Sequence, residues 1–247
     1  MLKTIVLAPL KGGSAKTSTS INLLGAYANN GKKCLAIGLD AQRNLSNFLQ
    51  GEESDNELTI YDVLIDEHNI TDAIKPSRFK NIDYVPDSKR LGERNTHVDR
   101  LALTRAIQPV IAQYDYLVVD NPPVLGSSAI ASFSLANSIV VTCELDPFSL
   151  ENIISLINSI VEINDNAEIN IVPSKAITNS NVHRNLRRDL ENFVEGVDYL
   201  HLSDSIPYSI EMTNRIYKGQ ILVQHKGISK AHRKLQRALL KLSKELE

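Results

Sequence analysis

The sequence predicts an α/β fold, a mainly parallel twisted sheet with helices on both faces, built as a single domain over residues 1–247. Strand-like apolar runs alternate with helix-periodic stretches along the whole chain, the pattern of parallel strands joined by helical crossovers. Composition agrees: 43% of residues are hydrophobic and 23% charged, as in ordinary globular chains able to bury a large core. The first apolar run also leads directly into a loop rich in glycine and lysine, at the position where such sheets bind ligands.

The strand-like runs fall at 3–10, 33–39, 82–86, 116–120, 138–145, 169–173 and 199–203. Helical periodicity covers 17–29, 99–113, 150–164, 182–194 and 229–246. Asn30-Gly31 reads as the cap ending the first helix, and Ser149-Leu150-Glu151 as a helix start after Pro147. No internal repeat, low-complexity tract or Gly/Pro/Ser-rich linker divides the chain, so one domain is expected.

Residues 11–18 read Lys-Gly-Gly-Ser-Ala-Lys-Thr-Ser between the first strand and the first helix. Glycines let successive N–H groups converge on phosphate oxygens, and the helix behind them points its positive end at the same charge. Lys16 would reach the outer phosphates and Thr17 would hold Mg²⁺ through its hydroxyl. Leu10 and Ala15 stand where the generic pattern G-x-x-x-x-G-K-[ST] has glycines, whereas a second lysine, Lys11, opens the loop ahead of Gly12 and Gly13. This K-G-G-x-x-K-[ST] form resembles the deviant Walker A motif of the ParA/MinD family of P-loop ATPases.

Two further segments carry the same resemblance. The run Tyr116-Leu117-Val118-Val119-Asp120-Asn121-Pro122-Pro123 is a strand ending in a carboxylate and a double proline. It is similar to the family's Walker B and switch II segment, D-x-P-P. The run ending Asp40-Ala41-Gln42-Arg43-Asn44 is similar to switch I, D-x-Q-x-N, with Arg43 where the family usually has glycine. All three motifs lie at C-terminal ends of expected strands. Asp83–Ser88 and Glu144–Glu151 continue the likeness, with Asn152 in place of a usual glycine. Ile206-Pro207 and Tyr217-Lys218-Gly219 resemble the C-terminal region that closes over adenine, which implies a backbone contact to it near Pro207.

The resemblance implies a small ParA-type ATPase with ATP and Mg²⁺ as cofactors. Larger members carry an N-terminal DNA-binding extension, and this chain begins at its first strand. Residues 11–18 would hold the nucleotide, with Lys11 reaching the partner subunit's ATP in a sandwich dimer. Thr17, Asp40 and Asp120 would serve the metal, and Asp40 would orient the attacking water. Hydrolysis, stimulated by a ParB-like centromere-binding partner, would release the dimer, and the output would be partition of DNA or another cargo over the nucleoid. The alternatives are a MinD-like membrane-associated ATPase and a hydrolysis-poor nucleotide-binding interaction protein. Metabolic relatives such as amidoligases are disfavoured because no extra substrate domain fits within 247 residues.

Charge adds a second candidate surface. From Lys175 to the C-terminus there are 13 Lys and Arg against 8 Asp and Glu, net +5, which leaves −7 of the overall −2 for residues 1–174. Arg184, Arg187 and Arg188 form one cluster; Lys230, Arg233, Lys234 and Arg237 form another. Basic residues gathered this way are the footprint of sequence-independent binding to duplex DNA. Leu235, Leu239, Leu242 and Leu246 form an apolar stripe on the last helix, the one candidate membrane anchor and more simply a core-facing stripe. No run is long enough to span a bilayer and the first strand starts almost at once, so a cytoplasmic protein is expected, and the family resemblance implies that it is nucleoid-associated. Cys34 and Cys143 read as buried reduced thiols, and the histidines show no metal-ligand spacing.

Overall fold

The computed structural model describes residues 1–50, 57–93, 96–177, 179–227 and 229–247. In chain order the elements are β1 (Lys3–Pro9), α1 (Lys16–Asn29), β2 (Cys34–Gly38), α2 (Asn44–Leu49), α3 (Ile60–Leu64), α4 (Ile70–Ala73), β3 (Lys75–Pro76) and β4 (Ile82–Val85). There follow α5 (Ala102–Ala106), β5 (Tyr116–Asp120), α6 (Ser127–Ser134), β6 (Ser138–Glu144), α7 (Ser149–Ile163), β7 (Glu168–Ser174), α8 (Asn181–Val194), β8 (Leu200–Leu202), α9 (Ile210–Tyr217) and α10 (Lys230–Glu245). The strands make one sheet in the order β3-β4-β2-β5-β1-β6-β7-β8. Every described pairing is parallel except that of β3 with β4.

Each central strand is apolar on both faces, as a sheet covered twice by helices requires. Ile5 and Leu7, Cys34 and Ala36, Tyr116 and Val118 point to one side, where they meet α1 and α10. Val6 and Ala8, Leu35 and Ile37, Leu117 and Val119 point to the other, where Leu103, Phe133, Ile153, Ile157 and Leu190 cover them. The leucines of α10 are spent in this way: Leu235, Leu239, Leu242 and Leu246 are all buried against the α1 side. Tyr27 of α1 stacks on Tyr116, centroids 3.9 Å apart, and donates its hydroxyl proton to the Ser243 carbonyl of α10. The stripe therefore has no apolar side chains left to present to a lipid surface, which removes the feature behind the membrane alternative. Among the described residues no helix is long and apolar enough to cross a membrane.

Most expected elements stand within a residue or two of their places. The first helix ends as expected, with Gly31 at φ 77 beyond Asn30. The expected helix over 99–113 is instead α5 followed by a 3-10 turn at Gln108–Val110. Pro109 has no N–H for a continuing helix, and the turn absorbs it. The short helices α2, α3, α4, α6 and α9 had no separate signal, because a helix of eight residues or fewer shows too little of the 3.6-residue period to read, and the two residues of β3 are too few to alternate. Cys34 and Cys143 are free and buried, and burial pushes each thiol up to about 12.

Candidate functional site

Register brings the three motifs together. Asp120 ends β5 opposite Leu7 of β1 on one side and Gly38 of β2 on the other. Adjacent strands lie about 4.8 Å apart, so the loop after β1 and the turn after β2 leave the sheet on either side of the Asp120 carboxylate. Strand order puts β5 between β1 and β2, and the ligand crevice of such sheets opens where neighbouring connections diverge.

The loop runs from Lys11 into α1. Lys16, Thr19 and Ser20 are buried at the start of that helix. The Lys16 ammonium lies 3.2 Å from Asp40 Oδ2 and 3.3 Å from Asp120 Oδ2, and it also donates to the Asn121 carbonyl. Asp120 is 1% exposed and Asp40 14% exposed as side chains, so the ammonium sits between two shielded carboxylates. Thr17 Oγ1 donates to Asp120 Oδ2 at 2.8 Å, and Ser20 Oγ donates to Asp120 Oδ1 at 2.8 Å. Ser14 shares a buried 2.9 Å hydrogen bond with Thr142 of β6, fixing the middle of the loop to the neighbouring strand. Lys11, Gly12, Gly13, Ser14, Ala15, Lys16, Thr17 and Ser18 line a cavity of about 250 Å³ together with Asp40, Asn44 and Pro123.

Hydroxyl and carboxylate oxygens from Thr17, Asp40 and Asp120 are the hard donors that suit Mg²⁺. They gather around the Lys16 ammonium at that cavity, so the residues fit the ion the sequence implies.

Two residues of the loop and switch I motifs carry unusual backbone. Ala15 adopts φ 63 and ψ 19, and Arg43 adopts φ 57 and ψ 26, both left-handed. Both are positions where the motifs call for glycine, and the geometry gives the reason: a Cβ costs roughly 1 kcal/mol or more in this region. The Ala15 carbonyl nevertheless accepts from the Thr19 N–H and the Thr19 hydroxyl, both at 2.9 Å, which holds the strained residue as the cap of α1.

Lys11 leans away from the loop. Its ammonium bonds Asp146 Oδ2 at 2.8 Å and approaches Glu144 Oε2 at 3.4 Å. The Asp146 hydrogen bond raises the Lys11 pKa, and Lys11 in turn holds the Asp146 carboxyl below its usual range. On the other side of Glu144 stands Lys175, at 2.8 Å, which holds that carboxyl low in the same way.

Pro207 forms an isolated parallel bridge with Ala176 and borders a small cavity of about 190 Å³, which Leu145, Ile177, His183, Arg184, Arg187 and Lys234 share. The two basic clusters thus meet at one rim. Arg188 lies exposed on α8, and Lys230, Arg233, Lys234 and Arg237 on α10. Arg187 differs from its neighbours: its Nη1 donates to the Ser203 carbonyl and to Ser205 Oγ, and its Nε to Glu191. Arg184 donates to Asn181 at the start of α8.

Sequence reasoning missed Ser20, Glu144, Asp146 and Lys175. Ser20 was accessible, since it stands one helical turn after Lys16 on the same face. It also missed Asp87, which follows β4 and is 1% exposed. A Cβ on Gly38 would lie 1.9 Å from its Oδ1, an oxygen with no hydrogen-bond partner among the described residues. Burial pushes this carboxyl up to about 7, and the Asp120 charge adds to the effect.

A family model described as an AAA domain matches residues 2–172. The sporulation initiation inhibitor protein Soj of Bacillus subtilis is 32% identical over 165 residues, which span 65% of this chain and 65% of that protein. The chromosome partitioning protein ParA of Myxococcus xanthus is 26% identical, and the match covers 64% of this chain and 58% of the relative. This chain thus spans just under two thirds of the Soj relative's length. Among solved structures, the ATP complex of a Cyanothece McdA variant superposes with a TM-score of 0.85 at 20% identity, covering 100% of this chain and 97% of that one. With its fold, its three converging motifs and a matched region well over half its length, the chain belongs to the ParA/MinD family of P-loop ATPases.

Proposed function

We propose that this protein is an ATP-hydrolysing partition ATPase that dimerises on ATP, binds DNA without sequence preference and is reset by a ParB-like, centromere-binding partner. The observation that carries the reading is the Lys16 ammonium, held within 3.3 Å of carboxylates from two different strand ends. A lysine buried between Asp40 and Asp120 at a glycine loop is a positive charge waiting for a stronger anion, and a triphosphate is that anion.

Phosphoryl transfer asks chiefly for positioning and neutralisation of charge. Residues 11–18 cradle the phosphates, Lys16 turns from its carboxylates to the outer phosphates, and Asp40, once released, orients the attacking water. Thr17, Asp120 and Asp40 would hold Mg²⁺, which supplies charge neutralisation at the phosphate oxygens when bound. Pro207 faces the base. Lys11, on leaving Asp146, reaches the nucleotide of a second subunit, so that ATP joins the dimer and doubles the basic surface of α8 and α10 presented to DNA. The partition role is supported by relatives whose names describe chromosome partitioning and by a solved plasmid partition protein of Borrelia burgdorferi bound to AMPPNP, of like fold.

One observation favours a second reading, slow or absent hydrolysis with binding retained: Ala15 and Arg43 both strain the backbone beside the phosphates. The experiment that decides is ATP turnover measured alone, with duplex DNA and with the partner. Stimulated turnover supports the partition ATPase. Tight ATP binding with no turnover in any mixture leaves the interaction protein.

A further inference from the structure

Lys175 stands where neither the motifs nor the basic clusters account for it. It follows β7, two strands away from β1, yet its ammonium lies only 3.8 Å from the point a Cβ on Gly13 would occupy. Gly13 itself takes φ 82 in the middle of the loop. Three lysines thus surround the loop, with Lys16 inside it, Lys11 at its start and Lys175 over Gly13.

The backbone that delivers Lys175 is unusual and firmly held. Lys175 adopts φ 52, a left-handed conformation that a side chain makes costly. The neighbouring hydrogen bonds overcome that cost: Ala176 N–H donates to the Ile206 carbonyl and Tyr208 N–H donates to the Ala176 carbonyl, each at 3.0 Å. Backbone strain of this kind persists where the surroundings over-determine it, and it gathers at functional sites.

Stability does not explain the arrangement. The ion pair with Glu144 is half exposed, with side chains 42% and 29% accessible, and pairs of that kind contribute little. A single carboxylate partner is also a weak competitor for an ammonium beside a loop built to receive a polyanion.

We infer that Lys175 is a third nucleotide-binding lysine, which leaves Glu144 and closes over the phosphates at Gly13 when nucleotide enters. Glu144 is its resting partner and competes with the phosphates for it. This inference rests on the nucleotide site proposed above, and it adds a contact from the C-terminal end of β7 that the loop motif does not contain.

The test is calorimetric titration of the full chain with ADP, a non-hydrolysable ATP analogue and adenosine, comparing wild type with Lys175→Met, Lys175→Arg and Glu144→Gln. Losing one charge-assisted contact to phosphate should weaken ADP or the ATP analogue roughly tenfold to a hundredfold in Lys175→Met. Lys175→Arg should recover most of that loss, and adenosine binding should not change. Glu144→Gln should bind as tightly as wild type or tighter, because it frees the lysine. A purely structural ion pair predicts instead that Lys175→Met and Glu144→Gln lose affinity alike, and that result would overturn the inference. So would unchanged nucleotide affinity in Lys175→Met while wild type binds. Failure of wild type to bind any nucleotide would remove the site itself, and is told apart by being seen before any variant is made.

Discussion

Lys16 and Ala15 show how differently neighbouring side chains contribute. Lys16 is held by three oxygens, and Lys16→Ala leaves Asp40 and Asp120 facing each other without a cation. The variant should lose ATP binding altogether, since the triphosphate would then meet those two carboxylates uncompensated. Wild-type affinity measured by titration would sink the assignment of residues 11–18. Ala15→Gly, in contrast, removes a Cβ from a left-handed residue and should stabilise the protein by about 1 kcal/mol, with a change in turnover and little change in ATP affinity. Chemical denaturation of the two proteins side by side checks the stability, and an Ala15→Gly variant less stable than the parent would contradict the strain. Asp87 supplies a pH test. Its folded-state pKa, about 7, lies above the unfolded value of about 3.9. Its contribution is therefore fully present below about pH 4 and is lost as pH rises through 7. Asp87→Asn should be more stable than wild type at pH 8, by up to about 4 kcal/mol, and should hold no advantage at pH 4. An equal difference at the two pH values would show that Asp87 is not the titrating group.

At the scale of elements, α10 joins two jobs on opposite sides of one helix. Its leucines close the core over α1, while Lys230, Arg233, Lys234 and Arg237 are exposed. Leu239→Asp places a charge at a site 1% exposed, in the cluster that holds Leu24 and Tyr27, and should cost several kcal/mol. Its expected signature is a large fall in melting temperature and not a loss of lipid binding. If Leu239→Asp melted like wild type and lost co-sedimentation with vesicles, the membrane reading would return. The basic side gives an independent measurement. Replacing Lys230, Arg233 and Arg237 with alanine should weaken ATP-dependent DNA binding and lower the log–log salt slope by roughly 0.9 per lost contact, with ATP affinity intact. On α8 the same experiment belongs to Arg184 and Arg188, because Arg187 ties α8 to Ser203 and Ser205 and its loss would unsettle the chain after β8, whereas the Arg184 bond to Asn181 stays within α8. Unchanged slopes in both variants would make these charges a solvated face.

For the whole molecule, the proposed cycle depends on where Lys11 goes. Within the chain it rests on Asp146 and Glu144, an exposed arrangement that contributes little stability and is easily exchanged for a phosphate. Lys11→Ala should therefore fold normally, bind ATP and fail to dimerise, whereas Asp40→Ala should bind Mg-ATP and accumulate as the dimer. Light scattering in the presence of ATP distinguishes them, and the same mass for both variants would end the cross-subunit role of Lys11.

The sequence alone was enough for the seven parallel strands, the long helices α1, α7, α8 and α10 and the three motifs at strand ends. Strand alternation, helical period and glycine loops are local patterns, and each is written in consecutive residues. The places of Lys16, Thr17, Asp40 and Asp120 were legible for the same reason, since each stands at a fixed offset from a strand. What only the tertiary structure decided was which distant residues meet. Lys175 comes to Gly13, Asp146 to Lys11 and Asp87 to Gly38 because β6, β7 and β4 end at the same edge of the sheet as β1 and β2. Strand order is set by packing across the whole domain, so no spacing in the chain announces these contacts. The division of the basic residues was hidden in the same way: Arg187 and Arg188 are adjacent in sequence, but a step of about 100° around a helix turns one toward β8 and the other toward solvent.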